Sequence, residues 1–208
     1  MSSARRRTHL DQISDALISG TTCFLDNDAW LVADVEANHL PEMMFRCHVK
    51  LPGLLHDLQN MSSDHGLSQS VLNEALALRE EMLYCFHHWI NSKGSLDTFP
   101  SRHTTSDSLH THTYEFPELQ SLILYCSHYA NLIIINKIII DCWKEHPLNI
   151  AYECHQAAAE IAACVDQAQS SLLTSMSLQL WLQAAVHGCS GIDACWFARK
   201  MSGLGLVR

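Results

Sequence analysis

The chain has 208 residues, a formal charge of −9, 48% hydrophobic residues and 17% charged ones. That apolar content excludes global disorder, and the acidic balance works against a phosphate backbone as partner. Eight glycines and five prolines are too few turn formers for a β-sandwich or barrel. An all-α fold is therefore expected: an array of antiparallel helix pairs forming one domain overall.

Residues 1–7, with Arg5, Arg6 and Arg7, read as a mobile, solvated tail. The first twenty residues lack the apolar core of a secretory signal. A helical first half is expected over 8–94. Thr8 can cap a helix whose stripe is Leu10, Ile13, Leu17 and Ile18 and whose stop is Gly20. A second helix is expected from Asp26 to His39. Pro41 opens a third with Met43, Met44 and Cys47, and Pro52 a fourth with Leu54, Leu55 and Leu58 facing in. Ser68 caps a long fifth helix ending at Gly94. Its apolar stripe is Leu72, Leu76, Leu83, Phe86 and Ile90, with Arg79, Glu80 and Glu81 on the wet side.

The polar Ser/Thr/His run over 95–116 reads as an exposed, mobile loop joining two halves. The second half, 117–208, opens at Pro117 with one long helix to Glu145. One face carries Leu119, Ile123, Cys126, Ala130, Ile133 and Ile140, and an adjoining face carries Leu122, Tyr125, Tyr129 and Leu132. A helix apolar on so much of its circumference belongs at the centre of the fold. Asn136 and Lys137 interrupt its greasiest run, short of the roughly 20 residues of a membrane span, so no membrane partner is expected. Pro147 starts a helix with a small-residue face: Ala151, Cys154, Ala158, Ile161, Ala162 and Val165. Leu178 to Gly188 gives another, and Ile192, Trp196, Phe197 and Met201 mark the last, ending near Gly203.

Nine cysteines, an odd number, with no secretory signal point to free thiols in a reducing compartment. No C-x-x-C, H-E-x-x-H, G-x-S-x-G or Gly-rich phosphate motif occurs. No metal, cofactor or catalytic residue is therefore assigned, and the chain is read as a non-enzyme. Cys142 and His146 sit four apart but are two ligands where a structural zinc wants four. His87 and His88, like Cys154 and His155, are sequence neighbours that diverge by about 100° on a helix. His110 and His112 lie in the polar loop, and Glu80–Glu81 on a solvated face. The large amphipathic aromatics Trp89, Tyr125, Tyr129, Trp181 and Trp196 are the candidates for a pocket or interface.

Three segments, in their order and spacing, resemble a known family. The first is Leu51-Pro-Gly-Leu-Leu55 followed by Ala75-Leu-Ala-Leu-Arg79. The second is Tyr114-Glu-Phe-Pro-Glu-Leu-Gln120 leading through Tyr125 and Tyr129 to Ile140. The third is Ala151 to Val165, with Ile161-Ala-Ala-Cys-Val165, followed by Leu178 to Ala185. Together they resemble the C-terminal part of the regulatory domain of fungal zinc-cluster transcription factors. The family's six-cysteine DNA reader and its basic segment have no counterpart, and Met176-Ser-Leu-Gln179 stands where the family has Leu-Gly-Pro-Gln.

The resemblance implies a helix stack regulating transcription, in the nucleus or cytoplasm, within a fungal secondary-metabolite pathway. It would act through another transcription regulator, a second copy of itself or a small-molecule effector, with no direct nucleic-acid contact. The alternative is a helical enzyme or accessory protein of such a pathway, with His128, Tyr129 and Asp141 as the residues to converge.

Overall fold

The computed structural model describes residues 12–23, 40–60, 65–93, 98–100, 112–143, 148–170 and 175–206. The expected tail over 1–7, the cap at Thr8 and the helix over 26–39 lie outside them. The fold is all-α. Helix α1 covers 12–19, α2 Leu40–Asn60 and α3 His65–Lys93. Strands β1 (Thr98–Pro100) and β2 (His112–Tyr114) follow. Then come α4 (Leu119–Cys142), α5 (Leu148–Ser170), α6 (Ser175–Gly188) and α7 (Gly191–Gly203).

The chain divides into two compact units, 1–93 with 134–147, and 94–133 with 148–208. The division does not coincide with sequence halves parted at 95–116, because α4 contributes its last residues to the first unit.

In the first unit, α2 carries Met44, Cys47, Leu51 and Leu54 buried along one line, the three- and four-residue spacing of one helix face. Two helices were expected here, one from Pro41 and one from Pro52, but a single helix runs through Pro52. The proline withholds one hydrogen bond, from the His48 carbonyl. Burial of Leu51, Pro52 and Leu54 on the same turn offsets that loss.

Across from α2, the line buried on α3 is Val71, Ala75, Leu78, Met82, Cys85 and Trp89. Leu76, Leu83 and Ile90, expected on the stripe, sit on its half-buried flank. Cys47 pairs with Cys85 and Lys50 with Glu81, 3.4 Å apart, so α2 and α3 run antiparallel. The exposed Lys50–Glu81 pair fixes register more than it stabilises. Arg79 leaves the wet side assigned to it: its side chain is mostly buried, and its Nε donates to Asn136 Oδ1 of α4 at 2.9 Å. Ser68 meets Cys142 one end further along, so this stretch of α4 is antiparallel to α3.

The second unit is assembled around residues 119–133 of α4, nearly all buried. The whole helix has the length and hydropathy of a membrane span, yet 78% of its most apolar stretch is buried within the protein, as in a core helix. Going along the chain, Phe116 just before α4 meets Gln167 and Tyr125 meets the earlier Glu160, so α5 runs antiparallel to α4. Burial on α5 follows its small residues: Cys154, Ala157, Ala158, Ile161, Cys164, Val165 and Ala168; Ala151 is exposed. Such a face lets α6 approach closely. At Gly188, the end of α6, an added Cβ would stand 2.9 Å from both the Cys154 carbonyl oxygen and Ile133 Cδ1. Gly188→Ala should therefore cost about 2 kcal/mol, read as a lowered urea midpoint. Gly203→Ala, with nothing within 4 Å of the new atom, should be neutral or better; equal effects of the two would refute the close-packing account.

Helix α7 closes the unit with Trp196, Phe197 and Met201 inward; Ile192, expected beside them, is 81% exposed. It ends in a Schellman motif. Gly205, at φ +67°, donates to the Ser202 carbonyl, and Leu206 donates to that of Met201.

Within the segment expected to be exposed loop, the described residues near its two ends pair with each other. Thr98, Phe99 and Pro100 pair antiparallel with Tyr114, Thr113 and His112. Phe116 is buried. Its N–H donates to Gln167 Oε1 at 2.9 Å, and its carbonyl accepts from Gln167 Nε2 at 2.8 Å. One side-chain amide thus substitutes for a strand neighbour.

Candidate functional site

The second unit concentrates polar chemistry in one place. Tyr125 donates from Oη to Glu160 Oε2 at 2.5 Å, the length of a charge-assisted bond. The hydroxyls of Tyr114 and Tyr129 lie within hydrogen-bonding range of this pair. The rings pack as well: Tyr125 stands 4.9 Å from Tyr129, 5.6 Å from Tyr114 and 5.1 Å from Phe116. Burial first, then Tyr129 and Glu160, pushes the Tyr125 phenol far up. Tyr129 is raised by burial and Glu160, and Tyr114 by the same causes. The phenols are thus neutral donors around a carboxylate, which ties β2 to α4 and α5. Tyr125→Phe should lower stability by about 1.5 kcal/mol, measured by chemical denaturation. An unchanged midpoint would show that the bond contributes nothing.

The cysteines are all free thiols. Cys47 is raised by burial, then Glu81, and Cys164 by burial, then Cys126. Cys189 is pushed up to about 11 by burial and Asp193. A protonated thiol is a poor nucleophile and ligand. Among the described residues no group of three or more His, Cys, Asp or Glu side chains could hold a metal. Cys142 is half-buried, and His146 lies outside the described residues. His88 and His87 are exposed, and the His88 ring lies 4.4 Å from Tyr84. Cys154 is buried while His155 is exposed, as their divergence on one helix requires.

A second feature of the same unit is a cleft of about 330 Å³ lined by Gln169, Trp196, Arg199, Lys200, Gly203 and Leu204. Lys200 Nζ stands 5.2 Å over the Trp196 ring.

The five aromatic candidates separate accordingly. Tyr125 and Tyr129 join the phenol–carboxylate network. Trp181 is core, its Nε1 donating to Ser127 Oγ at 3.2 Å. Trp89 is core in the first unit, near Phe86 at 5.8 Å. Trp196 lines the cleft. Of the alternative trio, His128 is buried and packs edge-on to Tyr129 at 5.3 Å. Asp141 is exposed and belongs to the first unit, whereas His128 and Tyr129 belong to the second.

Sequence reasoning missed Tyr114, Glu160, Gln169, Arg199 and Lys200. Lys200 alone left a local signal, four residues after Trp196. The class these features define is an all-α protein with a part-buried phenol–carboxylate network and a small basic cleft. No family model, curated protein or solved structure matches the chain.

Proposed function

We propose that the chain is a transcription-regulatory module without its own DNA reader, working through binding to a partner or a small molecule. The observation that supports this reading is the state of its ionisable core. His48, Tyr125, Cys47 and Cys164 are buried and Tyr129 is half-buried, and burial disfavours the charged form of each. Shifts away from neutral pH take these five groups out of general acid–base work at physiological pH, which leaves them packing and hydrogen-bonding roles. What the scaffold offers is its surface, including Tyr84, Tyr152 and Ile192, all well exposed. The transcriptional setting, and with it a fungal secondary-metabolite pathway, comes from the ordered segments around residues 51–79, 114–140 and 151–185.

The test is a reporter assay in a fungal nucleus, with the full chain fused to a heterologous DNA-binding domain. Reporter output should change several-fold relative to that domain alone. An unmoved reporter with the fusion folded and nuclear would overturn the reading, as would turnover of a metabolite by the purified chain.

A further inference from the structure

We propose that Cys47 and Cys85, together with Met44 and Met82, form a binding site for a soft monovalent metal ion, Cu(I), between α2 and α3. The proposal goes beyond the regulatory reading and does not depend on it.

Three observations carry it. First, the two thiols meet across the helix pair, within hydrogen-bonding range of each other, and both are 0% exposed. Second, each helix repeats one pattern, Met44-Phe-Arg-Cys47 on α2 and Met82-Leu-Tyr-Cys85 on α3. Of the seven methionines, only these two stand three residues before a cysteine. That spacing is about one helical turn, so each thioether shares the face of its own cysteine. Both methionines are 1% exposed. Third, α2 and α3 run antiparallel, with Lys50 against Glu81 at 3.4 Å. The methionines therefore lie to either side of the thiol pair, about one turn from it in each direction.

Two thiols and two thioethers are a donor set for the softest ions. Zinc wants four nitrogen, oxygen or thiolate ligands, and among the described residues no group of three His, Cys, Asp or Glu side chains could hold it. A methionine side chain has three rotatable bonds with which to bring its sulfur to an ion. Both thiols are protonated before the ion arrives: burial raises them, and Glu81 adds to it. Binding therefore displaces protons. Two thiols and one Cu(I) give a bis-thiolate centre of charge −1 and two H+. The Lys50 ammonium favours the Cys47 thiolate and offsets part of that charge. For Cys47, ligation is thus added to packing. The second unit supplies an internal control. Cys126 and Cys164 also meet, but Ile123 and Ile161 stand where the methionines would be.

Anaerobic titration of the reduced full chain with Cu(I) buffered by bathocuproine disulfonate tests the assignment. One Cu(I) per chain should leave the chelator. The complex should show a thiolate-to-Cu(I) charge-transfer band in the ultraviolet, and X-ray absorption should find sulfur neighbours only. Because two protons leave, the apparent affinity should rise about a hundredfold per pH unit. Zinc offered alone should not be retained through gel filtration. Met44→Leu combined with Met82→Leu keeps the core volume; it should melt with the parent chain and weaken Cu(I) at least about tenfold. Cys47→Ala combined with Cys85→Ala should abolish the bound equivalent, while Cys126→Ala combined with Cys164→Ala should retain it. Where a cysteine variant melts early, the methionine variant decides the assignment by itself.

No transfer of Cu(I) from the chelator, undiminished binding by the methionine variant, or loss of the ion with Cys126 and Cys164 rather than with Cys47 and Cys85 would overturn the assignment. So would a preference for zinc, or nitrogen or oxygen atoms bound to the ion.

Discussion

Replacing Trp89 or Trp181 by alanine is expected to lower the unfolding free energy by about 3–5 kcal/mol, the range for a buried large aromatic. Both indoles are among the largest fully buried side chains of the protein. The alanine variants measure burial; the phenylalanine variants separate the two sites. Trp181 Nε1 donates to Ser127 Oγ, whereas Trp89 Nε1 is buried with no hydrogen-bond partner. Trp181→Phe gives up a satisfied bond and strands a hydroxyl. Trp89→Phe removes a donor that is already a liability of about 1–3 kcal/mol. With similar volume lost at each site, Trp89→Phe should be the milder change by about 1 kcal/mol or more. Urea unfolding followed by far-UV circular dichroism measures the difference. If Trp181→Phe proves equally mild, the Trp181–Ser127 bond contributes nothing to stability.

The same pair of residues shows what a sequence discloses. Their burial follows from helical periodicity; whether an indole nitrogen finds a partner, as Trp181 does in Ser127 of α4, depends on another helix, which no local pattern reveals. Helix α4 was legible because apolar residues occupy nearly its whole circumference, and such a helix has no stable place except the interior. Helix α3 was legible in extent but not in facing. Large residues at Leu76, Leu83 and Ile90 drew the stripe to one side. The line that is buried runs through Ala75 and Cys85, small side chains that let neighbouring helices approach.

Arg79 illustrates the same limit. Its place among Glu80 and Glu81 suggested solvent, while its guanidinium serves Asn136, 57 residues away. The prolines misled in the other direction. Pro41 and Pro52 are both fit to open a helix, but at Pro52 the surrounding burial outweighs one missing bond. At the sites, Trp196 and Tyr125 were visible as large amphipathic residues. Their partners Gln169 and Glu160 were not, because each is brought in from α5 by tertiary packing.

Acid should destabilise the fold through His48 between about pH 6.5 and 4. The imidazole is 1% exposed, its Nδ1 has no partner, and burial lowers its pKa from 6.5 to about 4. The direction of the effect follows from proton uptake. Above pH 6.5 neither the folded nor the unfolded chain protonates this group, and its full contribution to stability is present. As pH falls below 6.5 the unfolded chain takes up a proton that the folded one refuses, so unfolding gains free energy. Below pH 4 the folded imidazole protonates too and the loss levels off.

At about 1.4 kcal/mol per pH unit, the gap between 6.5 and about 4 corresponds to about 3 kcal/mol. His48→Leu removes the titrating group while keeping an apolar side chain of good helix propensity in the same packed position. Denaturant midpoints of both proteins at pH 7, 5.5 and 4.5 should therefore diverge from each other as pH falls, the wild type losing about 2–3 kcal/mol more than the variant. Parallel loss in the two proteins would assign the acid sensitivity to other groups and show that the buried imidazole is solvated in the native state.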